Sequence, residues 1–143
     1  MTIPQISIFI ENKFGKLSEI LALLGRENIR IIAATVADTS EFGILRMIVS
    51  DAQKTYLLLK NNNVNACLSE VLAISTASNS ETFAATLNMF SKAGLSIEYM
   101  YCFSAKDRSF LILRVNDREA ALEVIRRNDI AYITENELEI LFN

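Results

Sequence analysis

A chain of 143 residues is the size of one ordinary domain or two very small ones. A net charge of -3 and a pI near 5.0 argue against nucleic acid or an anionic membrane as the main partner. The sequence holds no histidine, which excludes Ser–His and Cys–His catalytic pairs and imidazole metal ligands, while carboxylate or lysine chemistry stays open.

The elements follow in order. Residues 5–10 alternate around Ile6, Ile8 and Ile10, a strand pattern. A glycine turn follows, and then a helix to about Glu27 with Leu17, Ile20, Leu21 and Leu24 on one face. Residues 29–36 are rich in β-branched side chains and read as a second strand, residues 37–43 as a loop, and 44–49 as a third strand. Asp51 is placed to cap a second helix that the run Asn61, Asn62, Asn63 stops, and residues 64–68 form a fourth strand.

The same order then returns. Residues 71–76 read as a strand, and residues 80–93 as a helix with Phe83, Leu87 and Phe90 on one face, ended by Gly94. Strands at 97–103 and 109–115, a helix capped by Asp117, and a strand at 130–134 complete it, with an acidic tail at 135–143. The halves superpose at a constant offset of 66 positions: Ile8 on Ile74, Leu21 on Leu87, Val49 on Val115, Asp51 on Asp117, Asn62 on Asn128. The order βαββαβ, twice, is the ferredoxin-like unit of an α+β protein, an antiparallel four-stranded sheet with both helices on one face. We therefore expect two domains, residues 1–70 and residues 71–143 with a short tail, acting as a covalent pseudo-dimer that hides apolar surface and a strand edge.

Other expectations concern location. No apolar run approaches the roughly 18 residues of a spanning helix. Glu11 and Lys13 stand where a signal peptide needs an apolar core, and Cys67 and Cys102 read as buried thiols of a cytoplasmic protein. Met47, Met89 and Met100 read as core filler.

The stretch ENKFGKL between a strand and an apolar helix, followed by NIRI, resembles the ACT domain, a small-molecule-binding regulatory module. The usual turn of that family is D/N-x-P-G-x-L. Here Asn12, Lys13, Phe14, Gly15, Lys16 and Leu17 fill it, with Phe14 in place of proline. Residues 34–46 and the stretch GLSIEYMY at 94–101 are similar to those of small tandem ACT proteins. The resemblance implies amino-acid binding where two such domains meet. It would bring the turn from Asn12 to Lys16 near Leu95, Ile97, Glu98 and Tyr99 if the repeats sit side by side.

The residues fit that implication in part. Gly15 permits close backbone approach, the helix start offers free N–H groups, and Lys13 and Lys16 add charge for a carboxylate, unless these lysines are merely solvated and offset by Glu11 and Glu19. Candidates for the ammonium are Glu98, which reads equally as a solvated edge residue, and Asp38, for which an Asx-type turn is the plainer reading. In the second repeat Ser78 and Glu81 have capping-box spacing and no glycine matches Gly15, so one ligand site is expected. Tyr99, Tyr101 and Phe103 share a strand face that suits an interface better than stacked bases. The expectation is a non-catalytic regulatory protein without cofactor or metal. It would act in trans on a partner protein, an enzyme being one candidate, and form homo-oligomers. The alternative is a ligand-free dimerisation or interaction module.

Overall fold

The structure is a computed structural model that describes residues 2–11, 15–38, 41–77 and 79–142. The elements are β1 (Thr2–Glu11), α1 (Lys16–Arg26), β2 (Ile31–Asp38), β3 (Phe42–Val49), α2 (Ala52–Asn61) and β4 (Ala66–Thr76). Then come α3 (Ser80–Lys92), β5 (Ile97–Ala105), β6 (Arg108–Val115), α4 (Arg118–Arg127) and α5 (Glu135–Phe142). The chain divides into two compact units. The first holds Pro4–Glu70 with Phe142, and the second holds Val71–Leu141 with residues 2–3.

In the first unit the strand order is β2-β3-β1-β4. β1 and β3 pair antiparallel with Ile8 opposite Leu45, and β3 and β2 pair with Met47 opposite Ala34. One face of this sheet turns Ile6, Ile8, Ile10, Leu45 and Met47 toward Ile20 and Leu24 of α1 and Leu59 of α2. The periods of 2 in the strands and 3.6 in the helices deliver these side chains to one layer.

The second unit repeats the plan with the order β4-β6-β5. Leu72, Ile74, Leu111 and Leu113 meet Phe90 of α3 and Val124 and Ile125 of α4. Each of Ile6, Ile8, Leu24, Leu45, Met47 and Leu59 is buried, and so is the residue 66 positions later in each case. The offset read from the sequence is thus an offset between equivalent core positions.

Two predicted strands, at 64–68 and 71–76, are one strand of 11 residues, β4. No glycine, proline or asparagine interrupts Leu68 to Val71, so nothing bends the backbone there. The predicted strand at 130–134 is reduced to a bridge between Tyr132 and Ile74, flanked by bonds from the Ser75 N–H to Ala131 O and from the Ile133 N–H to Ala73 O. It stops there because Thr134 starts α5: its N–H donates to Glu137 Oε2 at 2.8 Å and its Oγ1 accepts from the Glu137 N–H at 3.2 Å.

Three further expectations are corrected. Cys67 and Cys102 are both exposed; Cys102 lies on β5, the outermost strand of its unit. Met100, also on β5, is 41% exposed, whereas Met47 is fully buried. Ser78 lies outside the described residues, and the N-cap of α3 is Asn79, whose side chain accepts from the Thr82 N–H at 2.8 Å. This sets Glu81 one position short of a capping-box partner.

Candidate functional site

Among the described residues, four of the five helices begin under a side-chain cap. Asp51, Asn79 and Asp117 each accept from the backbone N–H three residues on, and Thr134 and Glu137 cap α5 reciprocally. The exception is α1. Its N-cap is Gly15, in the left-handed region at φ 78°, with no side-chain cap bond. The first intrahelical bond runs from the Glu19 N–H to Gly15 O at 3.0 Å. The N–H groups before it have no intrahelical acceptor, by helix geometry, and Gly15, Lys16 and Ser18 are exposed.

A groove with a volume of about 340 Å³ lies beside this uncapped end. Lys16, Glu19, Leu23 and Arg26 form one wall, spaced at three- and four-residue steps along α1 with Ile20 at its base. Phe9 and Glu11 at the end of β1 and the loop residues Asn62, Asn63, Val64 and Asn65 form the other. The Phe9 N–H donates to Asn65 O at 3.0 Å, which fixes that loop to β1. Asn63 takes a positive φ of 59°, and the Asn62 side chain donates to Leu58 O at 2.8 Å to close α2. The groove therefore offers an apolar floor, two carboxylates, two cations and amide groups, the set that a zwitterion with a polar end can use.

A related groove of about 510 Å³ lies between α3 and α4. Ala85, Met89, Lys92 and Asn128 line it, 66 positions after Glu19, Leu23, Arg26 and Asn62. Ala85 stands where the first groove has Glu19, and among the described residues no carboxylate lines the second.

The residues singled out from the sequence divide as follows. Asn12, Lys13 and Phe14 lie outside the described residues. Gly15 and Lys16 are exposed at the tip of α1, and Leu17 is half-buried against the first core. Asp38 ends β2, opposite Gly43. Leu95 is buried in the core of the second unit and Ile97 packs on it. Glu98 is held by Arg114, Oε2 to Nε 3.2 Å, and Tyr99 stands opposite Arg114 in the β5–β6 register. Glu19, Leu23, Arg26 and Asn62 to Asn65, which line the groove, were not among them. The stripe Lys16, Glu19, Leu23, Arg26 was legible in the helical period, next to the apolar stripe that drew attention.

A family model described as an ACT domain pair matches residues 1–142. The chain belongs to this family. ACT domains are regulatory modules, and two tandem copies make up this chain. Among solved structures, protein BT0572 from Bacteroides thetaiotaomicron is 34% identical, with a TM-score of 0.89 over 97% of this chain and 96% of that one. The ligand-free regulatory subunit of aspartate kinase from Thermus thermophilus shares the fold at 18% identity and a TM-score of 0.59, over 89% of this chain and 96% of that one. The regulatory subunit of aspartate kinase from Thermus flavus gives the same identity and TM-score, over 89% and 94%. No curated protein matches the sequence. No helix among the described residues is long and apolar enough to cross a membrane.

Proposed function

We propose that this ACT pair is a non-catalytic sensor that binds a free amino acid at the open end of α1 and acts in trans on a partner protein in the cytoplasm. The observation that carries the reading is the pairing of an uncapped, glycine-opened helix start with a groove bearing Lys16 and Arg26 beside Glu11 and Glu19. The backbone N–H groups at Gly15 and the Lys16 ammonium suit the carboxylate, as the positive end of a helix favours an anion. Glu19, one helical turn on, and Glu11 suit the ammonium, a role first sought at Glu98 and Asp38. The second groove lacks any such carboxylate, which supports one amino-acid site per chain. A second copy of the chain or an enzyme is the partner that reads the bound state.

Thermal unfolding in the presence of each of the twenty amino acids tests the reading. A ligand at 100 times its dissociation constant adds about 2.7 kcal/mol of stability. Glu19→Ala should abolish the shift and leave the melting temperature of the free protein within about a degree or two, as for an exposed surface substitution. If no amino acid shifts the wild type, the alternative holds: a ligand-free dimerisation module.

A further inference from the structure

The sheet of the second unit carries α3 and α4 on one face, and its other face would meet water if nothing else covered it. Register settles which residues that face holds. Leu111 and Leu113 point into the core beneath the helices. Phe110 and Ile112, one position off, therefore point the opposite way, beside their partners Phe103 and Tyr101 on β5 and Ala73 on β4. Yet Ala73, Phe110 and Ile112 are each 0% exposed. Within this unit the tail is placed to supply the cover, together with the buried Ile3 at the start of β1. Ile133 is 0% and Leu138 4% exposed, and the Ile133 N–H is bonded to Ala73 O at 3.0 Å. Arg108 lies 4.9 Å from the Phe110 ring centre on the same face, and its charge reaches the Glu137 carboxylate of α5.

The cover is slight. α5 has 8 residues, short of the roughly 12–15 at which a lone helix becomes even marginal. Leu138 is its one buried side chain, and Ile140 is 70% exposed. It also stands outside the duplication: 66 positions earlier the chain is β4, not a helix.

We propose that α5 is a detachable strap. It lifts as a unit from the face of β4, β6 and β5 that bears no α3 or α4 while both βαββαβ units stay folded, and so presents the buried Phe110 and Ile112, beside the half-buried Tyr101 and Phe103, only when it is off. Release also parts Phe142 from Arg30, whose guanidinium donates to Phe142 O and lies 5.6 Å from its ring centre.

Hydrogen exchange read by mass spectrometry on the full chain tests this. The α5 amides should exchange about 100-fold faster than those of β4 and β6, the mark of local rather than global opening. Leu138→Ala should speed α5 exchange further and raise the binding of an apolar fluorescent dye, with β1 and β3 exchange unchanged. A wild-type α5 that exchanges at the rate of β6 overturns the proposal, since α5 then opens only when the protein unfolds. A chain ending at Thr134 gives a second reading. A folded, dye-binding product supports the strap, and an unfolded one refutes it.

Discussion

Asp51 and Asp117 stand 66 positions apart and make the same bond: each carboxylate accepts a backbone N–H three residues on, from Lys54 and from Ala120, at 3.1 Å. Each closes the N-terminus of the second helix of its unit. Replacing either by Ala should cost about 1 kcal/mol. The caps share no partner, so the double variant should lose close to the sum, within about 0.5 kcal/mol. Urea denaturation of the four proteins measures it. A double variant no weaker than the singles would mean that the two caps are not independent.

Gly15 has open space where a Cβ would go, yet its φ of 78° belongs to the left-handed region. Gly15→Ala should therefore destabilise by about 1 kcal/mol from backbone strain alone. Calorimetry should register that loss. Under the proposed function, amino-acid binding should weaken in parallel, since a Cβ at this tip intrudes where the ligand carboxylate approaches.

Core volume sets a larger scale. Phe90 is fully buried at the centre of the second core, 66 positions after the equally buried Leu24 of the first. Phe90→Ala should cost about 3–5 kcal/mol and Leu24→Ala about 2–5 kcal/mol, through lost burial and the cavity left behind. Denaturant midpoints check both. A cost below about 1 kcal/mol at either site would show that its surroundings collapse into the space.

The Glu137 carboxyl is held below the usual carboxylate value by hydrogen bonds from the Thr134 N–H and hydroxyl, helped by the charge of Arg108. The unfolded chain therefore takes up this proton first as pH falls. The capping contribution is complete above the ordinary carboxylate range and is lost as pH drops through the lowered folded value. Exchange of α5 amides should thus accelerate in acid relative to β6, and Glu137→Gln should flatten that difference. Equal acid sensitivity in wild type and variant would contradict the assignment.

The sequence disclosed the fold through its strongest signals: the 66-residue offset, the apolar stripe of α1, and the caps Asp51 and Asp117. Such features are local and periodic, and packing amplifies them. It concealed what depends on neighbours in space. The gap expected between the strands at 64–68 and 71–76 vanished because an extended backbone needs a reason to turn. Cys102 and Met100 were misplaced because hydrophobicity does not reveal which strand lies outermost. The α1 groove draws one wall from the loop after α2, a pairing across more than 35 positions that no period in the sequence announces.

Consider finally the unbroken strand β4. Ala66 to Glu70 closes one repeat and Val71 to Thr76 opens the next, with no loop between. A protease meets no slack chain at the junction, so limited digestion should trim ends and turns before it parts the halves. Ancestry is constrained in the same way. A gene for such a chain can be duplicated again whole, but cutting it at residue 70 would sever a hydrogen-bonded ribbon and strand both fragments with a raw end.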